Sequence, residues 1–384
     1  MAATTRTVGP SVTPVALAIL LSCAGASLAA EKNAPSQVTT SEQQVNPILA
    51  ALDAGDGRQA LELLRSRSLE LSSDERSLLE ARAYLLLNDL PEARRRLTTL
   101  TRDRSNDATA LYWLGRVYEA DGAAALAASQ YGRASRNGPA TADLHYHWAT
   151  ALKASGQLLG DVVRRQAPEG TEVPKVGEFS FDGLVVGQVR SKPRWVLVSP
   201  PESAVHQAYQ ALALEPENGG ALLLAAEIWS SLQRHEEATA MFAKAAEHLT
   251  NKGDLARCHD GWAADLLALG DLDGYLKHTT ERMRVTGESN SAELARCYAQ
   301  AAEALARRGD LQGQIRYLTF SVELVPDVDR LVDLADALRA AQRLDEAQEQ
   351  LKRAMDRKPS LTQQRAINRR LLETEYLTSP RPGQ

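Results

Sequence analysis

Apolar and small residues recur at helical spacing along most of the chain. Through residues 111–139 they fall every three or four positions, and Gly122 interrupts the series. This spacing predicts two helices that each bury one face. Small residues let two helices approach closely, and larger apolar residues fill the space between them. The positions on the two faces are Leu111, Gly115, Tyr118, Ala127, Tyr131, Ala134 and Pro139.

The same pattern returns twice further along the chain. It reappears as Leu222, Ala226, Trp229, Ala238, Phe242 and Ala245, and again as Leu331, Ala335, Leu338, Ala347, Leu351, Ala354 and Pro359. The breaks between paired helices can be followed at Gly55, Asn88, Gly122, Gly156, Gln233, Gly270, Gly309 and Gln342. We therefore expect about eight helix pairs over residues 46–156 and 200–359. Residues 360–384 are expected to form a polar-faced capping helix and tail, with Ser360 as the N-cap.

The matched spacing resembles the tetratricopeptide repeat (TPR), a helix–turn–helix unit of about 34 residues. The resemblance implies an all-α, right-handed superhelical solenoid that binds peptides or proteins on a concave face lined by the first helix of each repeat. It places on that face Tyr112, Arg116, Asp143, Tyr146, Lys153, Glu227, Arg257, Asp260, Arg296 and Glu303. Tyr112 and Arg116 stand where one TPR subset has the Lys and Asn of a carboxylate clamp, so binding of chaperone tails is not expected.

Residues 157–199 interrupt the repeat that begins at Ala142, and they read as strands. Asp182-Gly183 between two apolar runs is a strong signal for a two-residue hairpin turn, because that turn needs positive φ. A third apolar run follows, so a small β-meander is expected between the two helices of one repeat. The predicted strands are Glu178–Phe181, Leu184–Val189 and Trp195–Val198.

The helical pattern resumes directly after this insert. Ser199 is expected to cap the next helix, with Pro200 in its first turn. The Glu202 side chain is expected to accept from the backbone N–H of Ser199, as in a capping box. The insert itself has two interpretations. It covers apolar surface of the array, or it is a recognition element. In the second case its contacts would be Trp195, Arg194, Phe179 and Phe181, since aromatic residues and Arg are enriched at interface hot spots.

The first thirty residues have the pattern of a secretory signal peptide. Arg6 precedes an apolar run from Val15 to Ala30, and no acidic residue occurs before Glu31. Residues 1–30 are therefore expected to direct export to the periplasm or the cell exterior, with 31–45 as a flexible linker. Three outcomes stay open: cleavage after Ala29 to give a soluble protein, lipidation at Cys23 within a lipobox-like Leu-Leu-Ser-Cys, or an uncleaved anchor. A membrane is expected as a partner only if Cys23 is lipidated, which would make the chain an outer-membrane lipoprotein.

The net charge argues against nucleic-acid binding, and the spacing of the cysteines argues against a disulfide. The formal net charge of −5 gives no footprint for nucleic acid. Cys258 and Cys297 take the same place in adjacent repeats, and equivalent points on packed helices lie about 8–10 Å apart. A disulfide needs Cα atoms within about 7 Å, so we expect two free thiols.

Catalytic and metal-binding signatures are not found in the sequence. The stretch from His235 to Thr239 begins like a zinc-binding HExxH but ends in Thr where the second His must stand. His145 and His147 are two residues apart on a predicted helix, so they cannot share a ligand-binding face. We therefore expect no metal, no cofactor and no catalysis.

The leading hypothesis is a non-catalytic scaffold of the cell envelope that binds partner proteins or peptides through the concave groove and the insert. A cell-wall polymer or solute-binding module is the alternative, with Trp195 and the tyrosines as stacking platforms. The low aromatic content, 5%, disfavours that alternative. A third hypothesis is an enzyme whose active site the meander completes.

Overall fold

The computed structural model describes residues 40–66, 71–167, 172–180, 183–189, 195–287 and 290–378. The predicted signal peptide, Cys23 and residues 31–39 lie outside these ranges, as do Phe181 and Arg194. The described residues form seventeen helices and four strands. They are α1 Thr40–Asp53, α2 Gly57–Ser66, α3 Ser73–Leu86, α4 Leu90–Asp103, α5 Ala108–Ala120, α6 Ala124–Asn137, α7 Ala142–Ala154, β1 Val163–Gln166, β2 Phe179–Ser180, β3 Gly183–Val189, β4 Trp195–Ser199, α8 Ala204–Leu214, α9 Gly219–Ser231, α10 His235–His248, α11 Lys252–Leu269, α12 Leu272–Thr286, α13 Ser291–Arg307, α14 Leu311–Leu324, α15 Val328–Ala340, α16 Leu344–Asp356 and α17 Leu361–Thr378.

Each of the eight turns predicted from the sequence contains a residue with a left-handed backbone. Five are glycines with φ between 75° and 82°, while Asn88, Gln233 and Gln342 have φ of 59–60°. Glycine adopts this conformation without a steric cost, which explains its repeated use at this position. An aspartate follows several of these turns and caps the next helix, as Asp310 does by accepting from the backbone N–H of Gly313 at 2.9 Å. The helix–turn–helix repetition is confirmed.

The chain divides into two compact units, unit 1 up to Ile228 and unit 2 from Trp229 onward. In unit 1, Ile48, Leu64 and Leu79 belong to one apolar cluster that joins α1, α2 and α3. In unit 2, Leu331 and Leu351 belong to a cluster that joins α15 and α16 and reaches Ile367 of the last helix. Each unit therefore has its own buried core.

The insert is a four-stranded antiparallel sheet in the order β1-β4-β3-β2. Val185, Val196 and Val198 form its small core, with Val173 packed against them. The small β insert within an all-helical repeat fold is confirmed. Strand β1 was missed because its sequence, VRRQ, lacks the apolar alternation of a half-buried strand.

Helices α7 and α8 pack against each other, with the insert between them in sequence. The backbone N–H of Ala204 donates to the carbonyl of Gln157 at 2.9 Å, which brings the two ends of the insert together. The prediction that Ser199 caps the resumed helix was wrong. Ser199 is the last residue of β4 and donates its hydroxyl to the Leu159 carbonyl at 2.5 Å, so Ser203 caps α8 instead.

Two further expectations need correction, one about the start of α1 and one about the outer side of the last helix. Helix α1 begins at Thr40, so residues 40–45, predicted as linker, are helical. The capping helix α17 is present, and Ser360 caps it by accepting from the Gln363 N–H at 3.3 Å. Its outer side is not polar throughout, because Leu372 and Tyr376 are 67% and 83% exposed.

Cys258 and Cys297 are both buried and free, which confirms the expectation of two thiols. Cys258 donates to the Phe242 carbonyl at 3.4 Å. Among the helices that the structure describes, none is both long and apolar enough to cross a membrane.

Replacing residues 158–198 by a short Gly/Ser linker is expected to remove the β component of the far-ultraviolet circular dichroism spectrum and to leave the helical signal. All four described strands lie within or end next to this segment, while α7 and α8 keep their mutual packing. A spectrum with an unchanged β component would contradict the assignment of the strands to the insert.

Candidate functional site

In unit 1 the first helices α5 and α7 share a partly buried polar network. The Tyr112 hydroxyl donates to the Asp143 carboxylate and accepts from Arg116 at 3.0 Å. The His147 ring lies between two carboxylates, with Nδ1 3.0 Å from Glu119 Oε2 and Nε2 3.5 Å from Asp143 Oδ1. We call these five residues the unit 1 network. Tyr112 is only 8% exposed, so it is a core residue rather than an open contact residue.

The charges of this network balance one another. Burial lowers the pKa of His147, but its hydrogen bonds to Asp143 and Glu119 outweigh burial and leave the pKa raised. Burial raises the pKa of Asp143. Its hydrogen bond to His147 and the nearby positive charges outweigh burial and leave the pKa below its ordinary value. Two acids thus face the His147 ring and the Arg116 guanidinium. A charged ligand would have to break these internal contacts.

The other predicted residues of unit 1 are also engaged. Lys153 of α7 forms an ion pair with Glu227 of α9. The Tyr146 ring packs edge-on against His147, with centroids 5.1 Å apart. Trp195 lies in the insert, where the Arg164 guanidinium sits 4.7 Å from its ring centroid. The structure therefore brings Tyr112, Arg116, Asp143 and Tyr146 together, and it places Trp195 apart on the sheet.

In unit 2 three of the predicted residues form ion pairs. Arg257 pairs with Asp254 of its own helix at 3.2 Å, and Arg296 pairs with Glu293 at 3.3 Å. Asp260 lies 3.5 Å from the Arg282 guanidinium of α12. The side chains of Arg257, Asp260 and Arg296 are each more than half exposed. Ion pairs of exposed side chains contribute little to stability.

An open groove of about 510 Å³ lies between α13, α14 and α15. We call it the α13–α15 groove. It contains the predicted residues Arg296 and Glu303, and sequence reasoning missed its two aspartates, Asp333 and Asp336. The full lining is Arg296, Ala299, Gln300, Ala302, Glu303, Ala306, Gln314, Leu318, Asp333, Asp336, Ala337 and Ala340.

The lining of the α13–α15 groove contains more acidic than basic residues, together with several alanines. Burial and the nearby negative charge of Asp336 raise the pKa of Asp333. Asp336 is bound by Arg370 of α17 at 2.8 Å, whereas Glu303 forms no ion pair with the residues that the structure describes. A cation bound at Asp333 would relieve its repulsion with the neighbouring aspartates. The alanines leave room for an aliphatic stem, so the arrangement fits a Lys or Arg side chain.

The histidines singled out in the sequence have separate roles. His145 Nδ1 contacts the Gln207 amide at 2.5 Å, and His235 Nδ1 contacts the buried Asp265 carboxylate at 2.7 Å. The Ser230 hydroxyl donates to the same Asp265 oxygen at 2.9 Å, so this carboxylate ties α9 and α10 to α11. Within the described ranges, no group of three or more His, Cys, Asp or Glu side chains is arranged to hold a metal ion.

The pKa values of His147 and His278 should lie on opposite sides of the ordinary histidine value of about 6.5. We expect the pKa of His147 above that value because of its two carboxylate partners. We expect about 4 for the pKa of His278, because burial and the adjacent His259 disfavour its charge. Side-chain proton NMR titration of the full chain measures both. A His147 pKa below 6.5 would contradict the unit 1 network.

Residues 78–142 match the sequence profile of the tetratricopeptide repeat family. This range includes the turns at Asn88 and Gly122. No curated protein matches the sequence significantly.

Several solved structures are similar in fold. A tetratricopeptide repeat protein from Parabacteroides merdae is 15% identical, with 79% of this chain and 99% of that chain covered and a TM-score of 0.41. The C-terminal part of a TPR repeat-containing protein from Cytophaga hutchinsonii is 11% identical over 73% and 94% of the two chains, with a TM-score of 0.44. A thermophilic TPR protein from Thermus thermophilus is 20% identical over 59% and 100%, with a TM-score of 0.39.

Proposed function

We propose that this chain is a non-catalytic scaffold of the cell envelope that binds an extended segment of a partner protein through the α13–α15 groove. The recognised feature is a basic side chain of that segment. Tetratricopeptide repeats are in general protein- or peptide-interaction modules, and the repeat segment at 78–142 supports this class of function. Export rests on the apolar pattern of residues 1–30 alone.

The observation that carries the proposal is the contrast between the two units. In unit 1 the first-helix side chains satisfy one another, so little binding energy is left for a ligand. In unit 2 the groove is open, Glu303 has no ion-pair partner among the described residues, and the pKa of Asp333 is raised by burial and neighbouring acids. A partner's Lys or Arg would add charge-assisted contacts without breaking existing ones.

The test is a crosslinking capture from the native cell envelope with the full chain and two variants. We expect Glu303→Lys to lose the partner, because it places a cation where the partner's cation must bind. Loss of one charged contact and addition of a repulsive one should weaken binding on the order of tenfold to a hundredfold. The captured partner is then titrated against purified chains by calorimetry.

Glu349→Lys is the matched control. It makes the same charge change on an exposed face of α16 outside the groove. Equal loss of the partner in both variants would contradict a role for the groove. Capture of a glycan instead of a protein would favour the polymer-binding alternative.

A further inference from the structure

Strand β1 lies at one edge of the insert sheet. Its described neighbour is β4, with Val163 opposite Val198 and Gln166 opposite Trp195. In an antiparallel pair the backbone groups of a strand point alternately toward and away from its neighbour. The outer side of β1 therefore carries N–H and C=O groups that pairing with β4 leaves unused. All four of its residues are exposed.

Two adjacent arginines lie on this edge. Arg164 and Arg165 project from opposite faces of the sheet, because side chains alternate along a strand. Neither forms an ion pair with a residue that the structure describes, whereas Arg94 and Arg95 of α4 both pair with carboxylates. The Arg164 guanidinium lies over the Trp195 ring at 4.7 Å. This cation–π contact holds the guanidinium at the edge of the sheet.

The sheet that presents these arginines is attached to the repeat at both ends. Ser199, the last residue of β4, donates its hydroxyl to the Leu159 carbonyl, and the Val205 N–H donates to the Leu158 carbonyl at 3.1 Å. Val196 and Val198 of β4 are buried in the sheet core. The edge of the sheet is already held in extended form. Binding of a ligand strand therefore does not incur the cost of ordering β1.

We propose that β1 binds an extended acidic segment of a partner protein, which adds to the sheet as a further strand. The segment's backbone pairs with the side of β1 that faces away from β4. Acidic side chains on its two faces contact Arg164 on one side of the sheet and Arg165 on the other. Strand addition supplies affinity through main-chain hydrogen bonds, and the arginines select for acidic side chains. This surface belongs to unit 1 and does not depend on the α13–α15 groove.

Charged side chains on edge strands also serve a second purpose, which is to prevent edge-to-edge association. The two roles make different predictions. A purely protective edge rejects every added strand, including one of opposite charge. A recognition edge accepts an acidic strand and rejects a basic one. Binding of a defined peptide therefore separates them.

The experiment uses the full chain and a fluorescein-labelled ten-residue peptide in which adjacent Glu-Glu pairs alternate with Thr-Val pairs, so that both faces of the added strand carry Glu. Fluorescence anisotropy measures binding at low salt. Two comparison peptides carry Lys in place of Glu, or Pro at two central positions. We expect the Arg164→Glu/Arg165→Glu chain to bind the Glu peptide at least about tenfold more weakly than the natural chain. We expect a similar loss with the Pro peptide, because Pro lacks the N–H that pairs with a strand.

Arg58→Glu/Arg102→Glu is the matched control, since it makes the same charge change on exposed positions of α2 and α4. It should bind the Glu peptide as the natural chain does. Absence of binding to the natural chain would overturn the proposal in favour of a protective edge. Equal binding of the Pro peptide would overturn it in favour of charge attraction without strand addition. Equal loss in the control variant would overturn it by showing that the effect is not local to β1.

Discussion

Replacing Phe242 by alanine is expected to destabilise unit 2 by about 3–5 kcal/mol. Phe242 is fully buried on α10, and its ring faces Gly261 of α11. A β-carbon at Gly261 would lie 2.5 Å from the Phe242 ring, so the two helices meet closely at this point. Removal of the ring leaves a cavity that the neighbouring backbone cannot fill.

Urea unfolding followed by fluorine NMR of 5-fluorotryptophan measures this effect in the full chain. Trp229 and Trp262 report on unit 2, while Trp113 and Trp148 report on unit 1. The matched control is Leu269→Ala, because Leu269 is 41% exposed and its truncation should cost well under about 1 kcal/mol. A loss below about 1 kcal/mol for Phe242→Ala would show that the α10–α11 contact is not close-packed.

Replacing His147 by leucine is expected to destabilise unit 1 by about 2 kcal/mol at about pH 6. The change leaves the Asp143 and Glu119 carboxylates without the cation between them. Breaking a fully buried charge pair costs about 3–5 kcal/mol, but these carboxylates are partly solvated, so the loss is smaller. The same fluorine NMR method measures it, through Trp113 and Trp148. His248→Leu, at an exposed position of α10, is the matched control.

The pH dependence follows from the raised pKa of His147. A histidine that gains acidic partners on folding binds its proton more tightly in the folded state. Its stabilising contribution is complete below the unfolded value of about 6.5 and is lost as the pH rises through the folded pKa. The difference between the natural chain and His147→Leu should therefore shrink at higher pH. A difference that grows with pH would contradict the raised pKa.

The repeat fold could be predicted because one backbone requirement recurs. Each turn needs a left-handed residue, and glycine or asparagine marks that place in six of the eight turns, while Gln233 and Gln342 take it in the other two. The start of α8 could not be predicted in the same way. Ser199 and Ser203 are equally good caps in sequence, and only the pairing of β4 with β3 decides between them.

The candidate site was predictable only in part, because side-chain partners lie across helices. His147 was judged by its distance from His145 along one helix, whereas its partner Glu119 is on α5. Repeat position alone placed Tyr112 on the open surface, but its hydroxyl is held by Asp143 and its ring is buried. Glu303 was found through the repeat register. Asp333, which also lines the groove, was missed because the sequence analysis placed no residue of α15 on the concave face.

The most direct test of the account is photocrosslinking in living cells with p-benzoylphenylalanine at Ala340, an exposed lining residue of the α13–α15 groove. The same group at Glu349, on the exposed face of α16, serves as the comparison. We predict a crosslinked partner protein from position 340 and none from position 349. The same product from both positions, or a product from position 349 alone, would contradict partner binding in the groove.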